Sequence, residues 1–105
     1  MLTPKRNRIK IKEMKFTRES AVERAKSDLA TRLGIAEGEI SESGVAERDF
    51  SDMSLGAPEN GEMAAQMISS GWQIELSAEG KDYQYRADKY QLRLHNFNGE
   101  NYVIK

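Results

Sequence analysis

Apolar residues recur at three- and four-residue intervals in one stretch of this chain, at Val22, Ala25, Leu29 and Leu33. That stripe predicts an amphipathic helix from Ser20 to Leu33 with a charged opposite face. Ser20 and Glu23 have the spacing of a capping box, with Thr17 one turn earlier as the rival N-cap. Gly34 stops the helix by accepting a left-handed conformation, and Ile35 is placed to fold back on the last turn. After a polar turn at Glu37-Gly38 the period changes to two. Glu39 to Phe50 reads as a strand in which Ile40 and Val45 are out of phase, and a bulge near Ser43-Gly44 reconciles them.

Farther along, Trp72, Ile74 and Leu76 alternate with Gln73, Glu75 and Ser77, and Tyr83, Tyr85 and Ala87 alternate with Gln84 and Arg86. The glycine-bearing Ala78-Glu79-Gly80-Lys81 joins these two strands as a hairpin. A second pair follows, with Tyr90, Leu92 and Leu94 alternating with Gln91, Arg93 and His95, then Asn98-Gly99 as a primed turn, then Tyr102, Val103 and Ile104. Between the halves, Gly61 to Ser70 suits either a short helix capped by Asn60 or an edge strand, and the helix is preferred. One apolar helix stripe needs a surface and several half-buried strands need a cover. The expected fold class is therefore α+β, one long helix packed on an antiparallel, meander-like sheet of about four or five strands. Residues 1–15 are expected to be a basic arm or edge strand and residues 16–105 a single domain.

Composition narrows the functions. With 105 residues the chain fits one domain with a small core, and no apolar run approaches the roughly 20 residues of a membrane span. The amino terminus has the positive start of a signal peptide without the apolar segment that follows one, so the expected location is cytoplasmic. Cys is absent, which removes disulfides, thiolate zinc sites and cysteine nucleophiles together. The net charge of -1 hides a polarised distribution: residues 1–15 are net +5 and the remainder is net -6. A basic arm on an acidic body suits phosphate binding. Against nucleic acid, no basic residues cluster elsewhere, and Ile9 and Ile11 alternating with Lys10 and Lys12 read as a lysine-protected edge strand. Such a strand would let two chains pair as a homodimer.

The turn-rich run from Phe50 to Gly61 carries a family resemblance. A helix ending Asp28 to Gly34, the stretch Phe50 to Pro58 with its Ser-Leu-Gly-x-Pro element, Gln66, Gly71 to Leu76 and Tyr83 to Arg86 together resemble a family of small uncharacterised bacterial and cyanobacterial proteins. In that pattern Trp-Pro usually stands where Phe50-Ser51 stands, Cys often stands at Ala57, and a second Cys lies near His95. Both thiols are missing here. If they pair in exported relatives, their loss fits a reducing compartment. The resemblance implies a fold and no activity. A second resemblance is to cystatins, which wrap a sheet around one helix and present a loop running from Gln to Gly. Gln66 to Gly71 is similar but one residue longer, and the amino-terminal glycine of cystatins has no counterpart. It implies peptidase inhibition as an alternative.

Catalytic constellations are weak. His95, the single histidine, falls in a strand on the face shared with Gln91 and Arg93, where a half-exposed strand residue is the simpler reading. A triad on Ser54 has no base, so Ser54 is expected to satisfy backbone groups in its turn. Glu47, Asp49 and Asp52 bring carboxylates together, and Asp52, Ser54 and Gly56 faintly match a cation loop, without the later bidentate acid of an EF-hand. Phosphate-binding and dinucleotide glycine motifs are lacking. Tyr83, Tyr85 and Tyr90 with Arg86 and Arg93 would make a stacking platform for single strands, but period-two tyrosines are more often a core-facing row. Trp72 begins a strand whose alternate residues are interior. No catalytic residue, metal site or cofactor is expected. The expectation is a non-enzymatic domain that binds another protein through the segment from Phe50 to Gly71, with Phe50, Asp52, Ser54, Leu55, Gly56, Pro58 and Gln66 as contact residues.

Overall fold

The computed structural model describes residues 15–105. The expected Ile9–Ile11 edge strand and nearly all of the basic arm lie outside the described residues. Helix α1 (Arg18–Leu33) starts two residues before the predicted Ser20, because its N-cap is Thr17, the rival one turn earlier. Thr17 Oγ1 accepts from the Ser20 N–H at 3.1 Å, and Ser20 Oγ accepts from the Thr17 N–H at 2.9 Å. The earlier start also brings Phe16 onto the cluster that buries Ala21. At the far end Gly34 has φ 70°, and the N–H groups of Gly34 and Ile35 both reach the Ala30 carbonyl.

A single turn of 3-10 helix (Glu37–Glu39) leads into five strands, β1 (Ser41–Phe50), β2 (Ser69–Ala78), β3 (Lys81–Ala87), β4 (Leu92–Phe97) and β5 (Glu100–Val103). They form one antiparallel sheet in the order β1-β2-β3-β4-β5. The register of β1 on β2 slips between Glu42 and Gly44, at the predicted bulge. The hairpin turns are Glu79-Gly80, with φ 54° and 80°, and Asn98-Gly99, with φ 53° and 88°. Both are primed turns, whose twist matches that of the strands they join.

Alternation sends Trp72, Ile74, Leu76 and Ala78 of β2, Tyr83, Tyr85 and Ala87 of β3, and Leu92 and Leu94 of β4 to one face. There α1 covers them with Val22, Ala25 and Leu29. Each aliphatic side chain fully buried in this cluster stabilises by about 1.5–3 kcal/mol relative to exposure. Tyr85 is buried down to its hydroxyl, which donates to Asp28 Oδ2 on α1 at 2.8 Å. Burial and the Asp28 carboxylate both push that phenol pKa up. Arg32 bonds the same Asp28 oxygen and lies 4.5 Å over the Tyr102 ring, tying the end of α1 to β5.

Two expectations fail. Residues 62–68 form neither helix nor strand, and Met63, Met67 and Ile68 point to solvent. The one face that could bury a helical stripe is already taken by α1. Tyr90 is not in the strand of Leu92 and Leu94: it sits exposed in a turn that the Asp88 carboxylate closes by accepting from the N–H groups of Tyr90 and Gln91 at 2.8 and 3.0 Å.

Candidate functional site

The second face of the sheet is polar in sequence, with Arg48, Gln73, Glu75, Gln84, Arg86, Arg93 and His95. It is crossed by the connector, residues 51–68, between β1 and β2. The connector begins as a tight turn organised by Asp52. One oxygen, Oδ1, accepts from Ser54 N–H at 2.8 Å, Ser54 Oγ at 2.5 Å and Gly56 N–H at 3.2 Å. These donors hold the Asp52 pKa below the usual carboxylate range, the Ser54 hydroxyl most of all. Leu55 and Gly56 both take left-handed φ, 57° and 68°. A Cβ on Gly56 would stand 2.7 Å from Arg86 Nη1, so the turn needs glycine for room as well as for conformation.

That turn aims backbone carbonyls at two buried arginines. Arg86 Nη1 donates to the Leu55 and Gly56 carbonyls at 3.0 and 3.1 Å, and its Nε donates to Gln84 Oε1. Arg93 Nη1 donates to the Ala57 carbonyl at 3.1 Å, and its two terminal nitrogens grip both oxygens of Glu62 at 2.5 and 2.8 Å. Buried guanidinium groups require such partners, since their charge cannot be given up. The Arg93 guanidinium, aided by the Glu59 N–H, holds the Glu62 carboxyl down to about 2. Gln91 Nε2 donates to the Met53 carbonyl at 2.6 Å, Asn101 Nδ2 to Pro58 and the Val103 N–H to Glu59. The connector is thus a strap across β3, β4 and β5. Beneath it lie Phe50, Leu55 and Ala57, all buried, with the Arg48 and Arg86 guanidinium groups 5.0 and 6.0 Å from the Phe50 ring centre.

Of the contact residues expected from sequence, Phe50, Ser54 and Leu55 are buried and hold the strap down; Asp52 is half-buried in the turn it organises. Gly56, Pro58 and Gln66 are exposed. Ser54 bonds within the turn, as expected. Gly71 neither ends a loop nor stops a helix: it is buried inside β2, where a Cβ would meet the Ala87 carbonyl oxygen at 1.9 Å. Gln66 to Gly71 therefore does not project as a Gln-to-Gly loop. No single face gathers the tyrosines and arginines, because Tyr85 lies under α1 while Arg86 and Arg93 lie under the strap. Among the described residues no group of three or more His, Asp or Glu could hold a metal, and no helix is long and apolar enough to cross a membrane. His95 is half-buried on the polar face, and burial with the Arg86 charge lowers its pKa.

Every large apolar side chain exposed among the described residues sits in two loops: Met63, Met67 and Ile68 at 94, 62 and 73 %, and Tyr90 at 72 %. The register places the return of the connector and the β3–β4 turn at one end of the sheet, where Ser69 Oγ donates to Asp88 Oδ2 at 2.5 Å. The family model that matches this chain spans residues 22–95, from α1 through the strap to His95 in β4.

The chain belongs to the family described as Domain of unknown function (DUF8738). No curated protein and no solved structure matches it. Membership agrees with the resemblance to uncharacterised proteins, and the matched region contains Arg86, Arg93, Glu62 and the whole strap. Sequence reasoning did not single out Glu62, and it weighed Arg86 and Arg93 only as members of a stacking platform, not as the groups that fasten the strap. Arg93 reads as an ordinary exposed strand residue until the carbonyls of the strap are placed over it, and its only sequence signal is a polar alternation that also describes a solvated face.

Proposed function

We propose that this DUF8738 domain works by binding another protein in the cytoplasm, without catalysis, through the end of the sheet where the connector returns and the β3–β4 turn lies. The observation that carries the reading is the concentration of Met67, Ile68 and Tyr90 there, joined through Ser69 and Asp88. Apolar side chains that stay wet in the free domain lose that cost on contact with a partner. Met63 extends the surface along the strap, beside the ion pair of Glu62 with Arg93. The buried residues Phe50, Ser54 and Leu55 set the position of the strap, while Gln66 lies on the contact surface. Loops fixed to a rigid sheet suit recognition of this kind. A chain without Cys fits a reducing compartment.

The test is cross-linking in the native cell with wild type and with an Ile68→Ser, Tyr90→Ser variant. Both residues are exposed, so the variant should melt with the wild type. The reading expects the wild-type partner set to disappear from the variant; an identical set would discard this surface.

A further inference from the structure

β1 is one edge of the sheet and, among the described residues, pairs with β2 alone. The other edge is treated differently, since the Val103 N–H in β5 is taken by the Glu59 carboxylate at 2.7 Å. β1 is ten residues long, and past its bulge the run from Gly44 to Phe50 keeps one register with β2. Its outward N–H and C=O groups are therefore a regular template for another strand.

The two faces of that edge differ in chemistry. The register puts Glu42, Val45, Glu47 and Asp49 on the side of α1, and Gly44, Ala46 and Arg48 on the other. α1 packs over β2 and β4, and the three acids of β1 are exposed. Residues 37–49 hold five carboxylates against Arg48 as the one base. Arg48 faces away from that row, bonded to Gln73 and stacked on Phe50. Two copies of β1 paired antiparallel would set acid against acid on the same face, which disfavours self-association through this edge.

We propose that the β1 edge receives an extended basic segment of a partner protein, in which Lys or Arg alternates with small or branched apolar residues. The basic side chains lie beside Glu47 and Asp49, and the apolar ones lie beside Gly44 and Ala46, the two smallest residues of that face, with open space at the Gly44 Cβ position. Strand pairing supplies the attachment and the acidic row supplies the choice of sequence. This edge is a second surface, and its role does not depend on the loop end described above.

Trp72, the one tryptophan, is half-buried and stands opposite Glu47 in the register, so its emission reports arrival at the edge. The experiment titrates the full chain, at low salt, with three capped peptides of about eight residues, a usual strand length. One alternates Lys and Val, one alternates Glu and Val, and one is the Lys-Val peptide N-methylated at every second amide so that it cannot pair as a strand. The Lys-Val peptide is expected to shift Trp72 emission and to bind about tenfold more tightly than either control. Reversing two exposed charges, Glu47→Lys with Asp49→Lys, is expected to weaken it about tenfold while leaving the circular dichroism spectrum unchanged. Affinities of the Glu-Val or the methylated peptide within about twofold of the Lys-Val peptide would overturn the proposal, as would an unchanged affinity in the reversed variant.

Discussion

On one face of the sheet α1 lays Val22, Ala25 and Leu29 against Ile74, Leu76, Tyr85, Leu92 and Leu94. On the other, a segment without regular structure lays Leu55 and Ala57 beside Phe50 and is fastened by Arg86 and Arg93. Both faces are closed, but by forces of different character. Apolar packing under α1 is non-directional and grows with area, so it tolerates small displacements. The strap depends on hydrogen bonds worth about 0.5–1.5 kcal/mol each, up to about 3 where a charge takes part, and each fails outright when its geometry is lost. The strap face should open at lower free energy than the helix face, and part of its hold should vanish in acid.

The largest effect should come from the helix face. Leu29→Ala removes a fully buried side chain from the centre of α1 and should lower global stability by about 2–5 kcal/mol, read by denaturant unfolding. Next is the joint between the faces: Gly71→Ala drives a methyl group into the Ala87 carbonyl and should cost about 2–3 kcal/mol, felt by the whole sheet. On the strap face Arg93→Met takes the donor from the Ala57 carbonyl and leaves Glu62 with the Glu59 N–H alone. It should cost about 1–3 kcal/mol, with faster hydrogen exchange confined to the strap.

A gentler probe of the same contrast is pH. The carboxyl of Glu62 is held at about 2 in the folded domain, against 4.5 ordinarily, so its contribution is complete above pH 4.5 and declines as pH falls toward 2. Asp52 is shifted the same way and adds with the same sign. Acid should therefore loosen the strap before α1, seen as early exposure of Phe50 and Leu55 while helical circular dichroism persists. The smallest effect expected is none: a papain-like protease should keep full activity at micromolar concentrations of the domain, because Gly71 is locked in β2. Measurable inhibition would contradict that placement.

The features legible in the sequence are those decided locally. Gly34 ends α1, the bulge at Ser43 follows from the phase conflict of Ile40 and Val45, and both primed turns announce themselves by glycine. The features that were not legible depend on distant partners. Met63, Met67 and Ile68 have helical spacing, yet helix formation needs a free apolar surface, and α1 already occupies it. Tyr90 continues the alternation of Leu92 and Leu94 on paper, while the Asp88 carboxylate bends the chain there. Leu55 looks like an exposed loop residue until Arg86 draws its carbonyl down and buries the side chain. The fold was thus readable as a helix on a meander, and the strap was readable only as a turn-rich stretch.

Native-state hydrogen exchange compares the two faces most directly. The Met53 and Ala57 N–H groups bond within the strap, to the Ala65 and Ser54 carbonyls, and those of Tyr85 and Leu94 lie in paired central strands. Met53 and Ala57 should exchange through a local opening insensitive to low denaturant, and should speed up selectively in Arg93→Met. Tyr85 and Leu94 should exchange only with global unfolding. Equal protection at all four amides, rising and falling together with denaturant, would contradict this by making the strap and the helix-covered core one cooperative unit.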